Sequence, residues 1–122
     1  MPPSSVTLSA RLLIALAVML VWAGCSRDTD LSVVNHSSGV ITNVVVSGSG
    51  FSERIERIPA GSERKLTIRP RGESGASVSF DADGQHVETK EQGYFEGGGD
   101  YRVLVTIEPD LRITVSSHLR IY

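Results

Sequence analysis

The segment DYRVLVTIE at residues 100–108, followed by LRITV at 111–115, carries the clearest structural pattern in the chain. Apolar residues alternate with polar ones in both halves, and Pro109-Asp110 between them has the composition of a turn. Alternation places every second side chain on one face of a strand, so the pattern predicts a β-hairpin with one buried face. The inward residues are expected to be Tyr101, Val103, Val105, Ile107, Leu111, Ile113 and Val115.

The chain upstream of this hairpin repeats the pattern in shorter pieces. LSVVN at 31–35 and GVITNVVVSG at 39–48 are rich in β-branched residues, and the turn composition between them predicts a second hairpin. ERKLTIRP at 63–70 and ASVSFD at 76–81 alternate cleanly and predict half-buried strands. QHVETKEQGYF at 85–95 is less apolar and predicts an edge strand, where charged side chains discourage association between sheets.

The segment FSERIERIP at 51–59 fits two structures. Phe51, Ile55 and Ile58 lie at helical spacing, but Gly50 and Pro59 on either side leave room for barely two helical turns. We favour a strand.

Together these segments predict an all-β domain over residues 31–122, built as a small antiparallel β-sandwich of seven to eight strands. The strand count fits an Ig-like or transthyretin-like arrangement, although the cysteine and tryptophan pins of true immunoglobulin domains are absent. A small closed barrel is the alternative. Fewer than 100 residues follow the first 24, which is enough for one core and too few for two.

The first 25 residues, MPPSSVTLSARLLIALAVMLVWAGC, differ in composition from the rest of the chain. Arg11 precedes an apolar run from Leu12 to Ala23, which is the order of the basic and apolar regions in a secretory signal peptide. The run is shorter than the roughly 20 residues that a membrane-spanning helix needs. It therefore predicts export rather than a permanent transmembrane anchor.

The leader ends in WAGC at residues 22–25, which resembles the lipobox of bacterial lipoproteins. In that family small residues precede a cysteine that receives a diacylglycerol and becomes the new N-terminus after cleavage. Ala23 and Gly24 match the pattern, whereas Trp22 stands where leucine is usual. The resemblance covers the leader only. The alternative is an ordinary signal peptide with a chance cysteine near its end.

The resemblance implies a lipoprotein signal peptide over residues 1–24 and a lipidated cysteine with a short linker over 25–30. Cys25 would carry acyl chains such as palmitate, and two or three chains together hold a protein stably on a membrane. By the sorting pattern of enteric lipoproteins, Ser26 implies the outer membrane, facing the periplasm. The expected location is thus the bacterial cell envelope, with the lipid bilayer contacted through Cys25.

Composition narrows the function classes. Cys25 is the only cysteine, so no disulfide framework or zinc–thiolate cluster is expected. The part after the leader keeps all 14 Asp and Glu but loses one of the 12 Lys and Arg, and this mildly acidic balance disfavours nucleic acid as a partner.

Three short patterns resemble catalytic or metal-binding motifs, and each has a simpler structural interpretation. Asp81-Ala82-Asp83-Gly84 resembles part of a calcium loop, but Lys90 stands where an EF-hand needs its glutamate, and a D-G pair is itself a hairpin turn. Gly72-Glu73-Ser74-Gly75-Ala76 misses the second glycine of G-x-S-x-G and lacks an α/β context. His36, His86 and His118 lack ligand spacing. We predict no catalytic residue, no metal site and no cofactor, and we do not expect an enzyme.

Charge is unevenly distributed along the chain. Basic residues dominate residues 53–71, whereas 72–110 carries nine acidic residues against Lys90 and Arg102. We favour cross-strand ion pairing as the explanation; a basic edge that meets anionic lipid headgroups or an acidic partner is the alternative.

The segment from Tyr94 to Tyr101 combines aromatic residues with a glycine-rich stretch, which is typical of a mobile loop that carries contacts. The predicted partner-contact residues are Tyr94, Phe95, Glu96 and Asp100. In the alternative interpretation, Tyr94 and Phe95 cap the core at a sheet end.

Two functional hypotheses follow. In the first, the protein is an envelope lipoprotein whose domain is a non-catalytic binding or accessory module for another envelope protein. In the second, it is a periplasmic inhibitor or immunity-type protein that acts on a hydrolase through the loop from Tyr94 to Asp100. The oligomeric state, the partner and the process stay open.

Overall fold

The computed structural model describes residues 28–120, so the leader and Cys25 lie outside the described residues. Within this range there are nine strands and no helix, so the described residues contain no helical segment that could span a membrane. The strands are β1 (Thr29–Asn35), β2 (Ile41–Gly48), β3 (Phe51–Ile58), β4 (Glu63–Ile68), β5 (Glu73–Ala82), β6 (Gln85–Glu88), β7 (Gln92–Glu96), β8 (Tyr101–Ile107) and β9 (Ile113–Leu119).

The nine strands form two stacked sheets. Sheet A has the order β4-β1-β8-β9, and sheet B has the order β3-β2-β5-β6, with β7 also paired to β5. The predicted all-β sandwich is therefore confirmed. It has nine strands rather than seven to eight, and β1 and β8 pair in parallel, while the other pairs are antiparallel.

The hairpin predicted from residues 100–115 is confirmed as β8 and β9. The pairing runs from Tyr101 opposite Leu119 to Ile107 opposite Ile113. Side chains of β8 alternate as predicted, with Val103, Val105 and Ile107 wholly buried. Leu111 lies in the turn rather than in the strand and has a positive φ of 69°.

The hairpin predicted between residues 31–35 and 39–48 is wrong, because β1 belongs to sheet A and β2 to sheet B. The connection between them is built around Asn35, which is wholly buried. Its Nδ2 donates to the carbonyl oxygens of Gly39 (2.9 Å) and Ile58 (3.0 Å), and its Oδ1 accepts from the backbone N–H (3.0 Å) and the hydroxyl (2.6 Å) of Ser37. These hydrogen bonds stabilise the connection from β1 in sheet A to β2 in sheet B. A tight hairpin turn within one sheet would not need them.

Replacing Asn35 by Ala should lower the free energy of unfolding by about 3 kcal/mol, because buried backbone groups lose their partners and cannot reach water. Urea denaturation of the variant measures this difference. Ser38→Ala in the same loop is the matched control, since Ser38 is exposed and its change should stay within about 0.5 kcal/mol. Equal stability of the two variants would contradict this assignment for Asn35.

The spacing of Ile55 and Ile58 comes from a bulge rather than a helix. The β2–β5 register shifts between Thr42 and Val45, and Asn43 in this interval has a φ of 51°. One extra residue reverses the faces of a strand, so Ile41 and Val44 both point into the core although they lie three positions apart. Their partners across β3 are Ile58 and Ile55, which follow the same change of face.

The predicted edge strand over residues 85–95 is confirmed as an edge, but it is interrupted. Its two halves, β6 and β7, pair with opposite ends of β5. Glu91, in the interruption, reaches Gly75 of β5, where the β5–β7 register shifts between Ser74 and Ala76, and its carboxylate accepts the backbone N–H of Gly75 (2.6 Å). β7 then reaches β9, where the hydroxyl of Ser117 donates to the carbonyl of Tyr94. This contact closes one long side of the sandwich.

The space between the two sheets is filled by side chains of both. The buried apolar residues are Leu31, Val33, Ile41, Val44, Val46, Ile58, Ile68, Ala76, Val78, Phe80, Ala82, Phe95, Val103, Val105, Ile107 and Ile113. Within residues 28–120 they form one cluster. Because this cluster fills the space between both sheets, we expect the domain to fold without the leader.

Candidate functional site

One end of the sandwich gathers the features that bear on function, and we call it the proximal end because β1 starts there. Thr29 of β1 pairs with Ile68 of β4, and Tyr101 of β8 pairs with Leu119 of β9, so all four strands of sheet A have a terminus at this end. Asp28, the first described residue, is attached to the proximal end by an ion pair between its Oδ1 and Arg69 Nε (2.6 Å). The opposite, distal end carries the turns 36–40, 59–62, 83–84 and 108–112.

Three connections meet at the proximal end. The backbone N–H of Arg71 donates to the carbonyl of Ser49 (2.8 Å), and that of Gly97 donates to the carbonyl of Gly72 (2.9 Å). A side chain at position 97 would place its Cβ 2.0 Å from the carbonyl oxygen of Pro70, so only glycine fits this approach. The glycine-rich segment therefore lies against a neighbouring connection instead of projecting freely.

The predicted partner-contact residues separate into different environments. Phe95 is wholly buried, with its ring centroid 6.1 Å from that of Phe51, as in the alternative interpretation of a core cap. Tyr94 next to it is 48% exposed. Asp100 is half-buried and pairs with Arg120 (3.6 Å). A buried Phe95 cannot reach a partner, so the contact hypothesis now rests on Tyr94, Glu96 and Asp100.

Tyr94 lies in a small acidic cluster. Its hydroxyl donates to the carboxylate of Glu96 and, at 3.4 Å, to that of Glu73. The bond to Glu96 raises the pKa of Tyr94 well above its usual range, because ionising the phenol would remove a donor and place a charge beside two carboxylates. The arrangement orients the ring as a neutral hydrogen-bond donor at the surface.

A groove of about 570 Å³ crosses the outer face of sheet A, and the sequence patterns did not single it out. Lys65, Arg102, Leu104 and His118 are among the residues that line it. Leu104 is 37% exposed on its floor. These side chains occupy the outward positions of three separate strands, so alternation predicts that they face water but gives no sign that they lie near one another.

The favoured explanation of the charge distribution, pairing between the basic and acidic segments, is wrong for the described residues. Of the basic side chains in residues 53–71, only Arg69 forms an ion pair within 4.0 Å, and its partner is Asp28. The reason is topological: β3 and β4 are edge strands whose only neighbours, β2 and β1, carry none of the acidic segment. The acidic segment lies on β5 to β8 and their turns.

The segment from Asp81 to Gly84 forms the predicted turn. Ala82 pairs with Gln85, and Asp83 and Gly84 between them have φ values of 50° and 74°, which is the two-residue hairpin geometry that a D-G pair favours. In residues 28–120 no three His, Cys, Asp or Glu side chains come together as metal ligands. His36 lies in the distal loops, His86 on β6 and His118 in the groove, so they do not meet.

Ser74, the middle residue of the G-x-S-like segment, is buried at the start of β5. Its hydroxyl accepts the backbone N–H of Ser49 (3.0 Å) and donates to the carbonyl of Gly75 (2.7 Å). The hydroxyl is therefore used in holding the proximal connections together.

His86 should titrate above its usual value near 6.5, because Nδ1 hydrogen-bonds the carboxylate of Asp81 (2.6 Å), and this raises the pKa of His86 and lowers that of Asp81. The ion pair between His86 and Asp81 stabilises the fold at pH values between the pKa of Asp81 and the pKa of His86. Its contribution is lost when the pH rises above the pKa of His86, and also when the pH falls below the pKa of Asp81. NMR titration of the imidazole measures it. In Asp81→Asn the pKa should fall, and it should fall less in Glu88→Gln, whose carboxylate lies 3.8 Å away. An unchanged titration in Asp81→Asn would contradict the pairing.

The comparisons with known proteins give little similarity. No family model matches the chain, and no curated protein matches it. Among solved structures, the NMR structure of a protein from Eubacterium rectale is similar over 78% of this chain and 90% of that chain, with 13% sequence identity and a TM-score of 0.47. We base no functional argument on this structure.

Proposed function

We propose that the protein is a lipid-anchored lipoprotein of the bacterial cell envelope, located in the outer membrane facing the periplasm, and that its β-sandwich is a non-catalytic module that binds another envelope protein. The observation that carries the proposal is the short distance between Cys25 and the fold. Asp28 is only three residues from Cys25, and three residues span at most about 10 Å. An acyl anchor on Cys25 would therefore hold the proximal end against the bilayer.

This tether would decide which surfaces a periplasmic partner can reach. The glycine-rich turn after Glu96 is at the proximal end and would face the membrane, which supports a partner site elsewhere. The distal end would project into the periplasm. It carries a small cavity of about 190 Å³ lined by residues of the turns, including Asp83, Asp110 and Leu111. Val40 also lines this cavity and is 41% exposed, so the distal end offers a partner a concave surface with an apolar side chain.

Site-specific photocrosslinking in intact cells tests the proposal. A photoreactive residue at Val40 samples the distal end, and one at Tyr94 samples the proximal end. We expect the same envelope protein to be captured repeatedly from position 40, and mass spectrometry of the purified chain to find an acylated Cys25 as its N-terminus. Capture from Tyr94 alone would favour the inhibitor hypothesis instead. An unacylated N-terminus would overturn the anchoring part.

A further inference from the structure

The two ends of the groove on sheet A differ in charge, and the proximal half is the basic one. The pairing register places two rows of outward side chains across the four strands in this half. The first row is Thr67, Asp30, Arg102 and His118, and the second is Lys65, Ser32, Leu104 and Ser116. Lys65 and Arg102 thus stand on β4 and β8, on either side of β1 and one row apart.

The cations of this surface are available for a ligand. Lys65 and Arg102 are exposed, and neither forms an ion pair within the described part of the chain. The carboxylate of Asp30 lies on β1 between the two strands and is bound by Arg120 Nη2 (2.6 Å), which also pairs with Asp100 (3.6 Å). The exposed side chain of Leu104 lies next to Arg102 on β8, at the following outward position. The surface therefore combines two basic side chains that form no ion pair within the described residues with an apolar contact.

The position of these residues fits a bilayer better than a partner in the periplasm. Lys65 lies three residues before the end of β4, and Arg102 is the second residue of β8. At about 3.3 Å per residue, both lie within roughly 10 Å of the proximal end. The linker from Cys25 to Asp28 adds at most about another 10 Å, so the tether allows both cations to reach the lipid headgroups.

We infer that the proximal half of the groove on sheet A binds phospholipid headgroups, with Lys65 and Arg102 contacting the phosphates of anionic lipids and Leu104 contacting the apolar boundary beneath them. This inference rests on the proposed anchor at Cys25, and it specifies which surface of the domain contacts the membrane. Membrane surfaces attract basic side chains by about 1 kcal/mol each, and an apolar side chain at the interface adds to this attraction. The sandwich is then tilted, so that the proximal half of sheet A faces the bilayer while the distal end and the outer face of sheet B turn toward the periplasm.

The outer face of sheet B offers no equivalent surface. Its outward positions on β2 and β5 include the uncharged residues Thr42, Val45, Ser47, Ser77 and Ser79. The charged residue among these rows is acidic: Asp81, opposite Thr42, hydrogen-bonds His86. Its basic residues Arg54 and Arg57 lie on the edge strand β3, next to Glu53 and Glu56. They provide a matched control with the same number of exposed arginine or lysine charges on the other sheet.

Vesicle sedimentation with residues 26–122 tests the inference without the acyl chains. The vesicles contain phosphatidylglycerol and phosphatidylethanolamine, with pure phosphatidylcholine vesicles as the neutral comparison. We expect binding to the anionic vesicles that decreases with salt. Lys65→Gln with Arg102→Gln should weaken this binding about 20- to 30-fold, since two charges at roughly fivefold each are lost, whereas Arg54→Gln with Arg57→Gln should change it less than threefold.

Each other result overturns the inference. Equal losses in both double variants would mean that only net charge matters. No vesicle binding by the native sequence, together with loss of a crosslinked protein in Lys65→Gln with Arg102→Gln, would assign the groove to an acidic protein segment. The vesicle assay uses the unacylated domain, so an absence of vesicle binding would not contradict the proposed anchor at Cys25. Likewise, an unacylated Cys25 in cells would not contradict a positive vesicle result. Circular dichroism checks that both variants are folded.

Discussion

Replacing Phe95 by Ala should lower the free energy of unfolding by about 4 kcal/mol, the largest loss that we expect from a single substitution near the glycine-rich turn. Phe95 is wholly buried and packs against Phe51. It comes from the short strand β7, which has only five residues and closes the sandwich against β9. Removing the ring leaves a cavity that the closed sandwich cannot fill, and it also weakens the attachment of β7.

Tyr94→Ala is the matched control for Phe95→Ala, because the two residues are adjacent and have opposite exposure. Tyr94 is 48% exposed, and its hydrogen bonds are made to exposed carboxylates, so the loss should stay below about 1 kcal/mol. Urea denaturation of the two variants measures both values. If Tyr94→Ala cost as much as Phe95→Ala, or Phe95→Ala cost nothing, the assignment of Phe95 to the core and Tyr94 to the surface would be wrong.

The alternation of apolar residues was sufficient to predict the fold class, because each strand buries one face whatever its neighbours are. It predicted the β8–β9 hairpin, except for Leu111, which lies in the turn, and the alternation of buried residues in β5. It could not predict that β1 and β2 lie in different sheets, since the loop between them has the composition of a hairpin turn. That outcome depends on Asn35, whose four hydrogen bonds reach as far as Ile58.

The candidate surfaces were harder to predict, for two physical reasons. Tyr94 and Phe95 are neighbouring aromatic residues, and the sequence does not indicate which of them the strand turns inward. In the groove, Arg102 and His118 lie opposite each other in the β8–β9 hairpin. Lys65 joins them only because β4 pairs with β1 and β1 pairs in parallel with β8. A parallel pairing between distant strands leaves no local signal in the sequence, so the groove could be found only in the fold.

Replacing Cys25 by Ser should move the protein from the membrane fraction to the soluble periplasmic fraction. Burial of acyl chains stabilises membrane binding by about 0.8 kcal/mol for each CH₂ group, and two or three chains together make the attachment effectively permanent. Without them, only the headgroup contacts inferred for Lys65 and Arg102 remain, and these are weak and sensitive to salt. Fractionation in low salt and in about 0.5 M salt therefore separates the two contributions.

The variant Ser26→Ala is the control for Cys25→Ser, because it keeps the leader and the thiol and should stay in the membrane fraction at both salt concentrations. Cys25→Ser should retain a small membrane-bound fraction in low salt and lose it in high salt. Mass spectrometry of the Cys25→Ser N-terminus shows whether the apolar leader has been removed, since an uncleaved leader would itself hold the protein on the membrane. A Cys25→Ser protein without its leader that remains in the membrane fraction after the high-salt wash would contradict the acyl anchor. A variant that is fully soluble in low salt would leave the anchor as the sole attachment and would argue against headgroup binding by sheet A. The two attachments thus differ in strength, in chemistry and in their response to salt, and one fractionation distinguishes them.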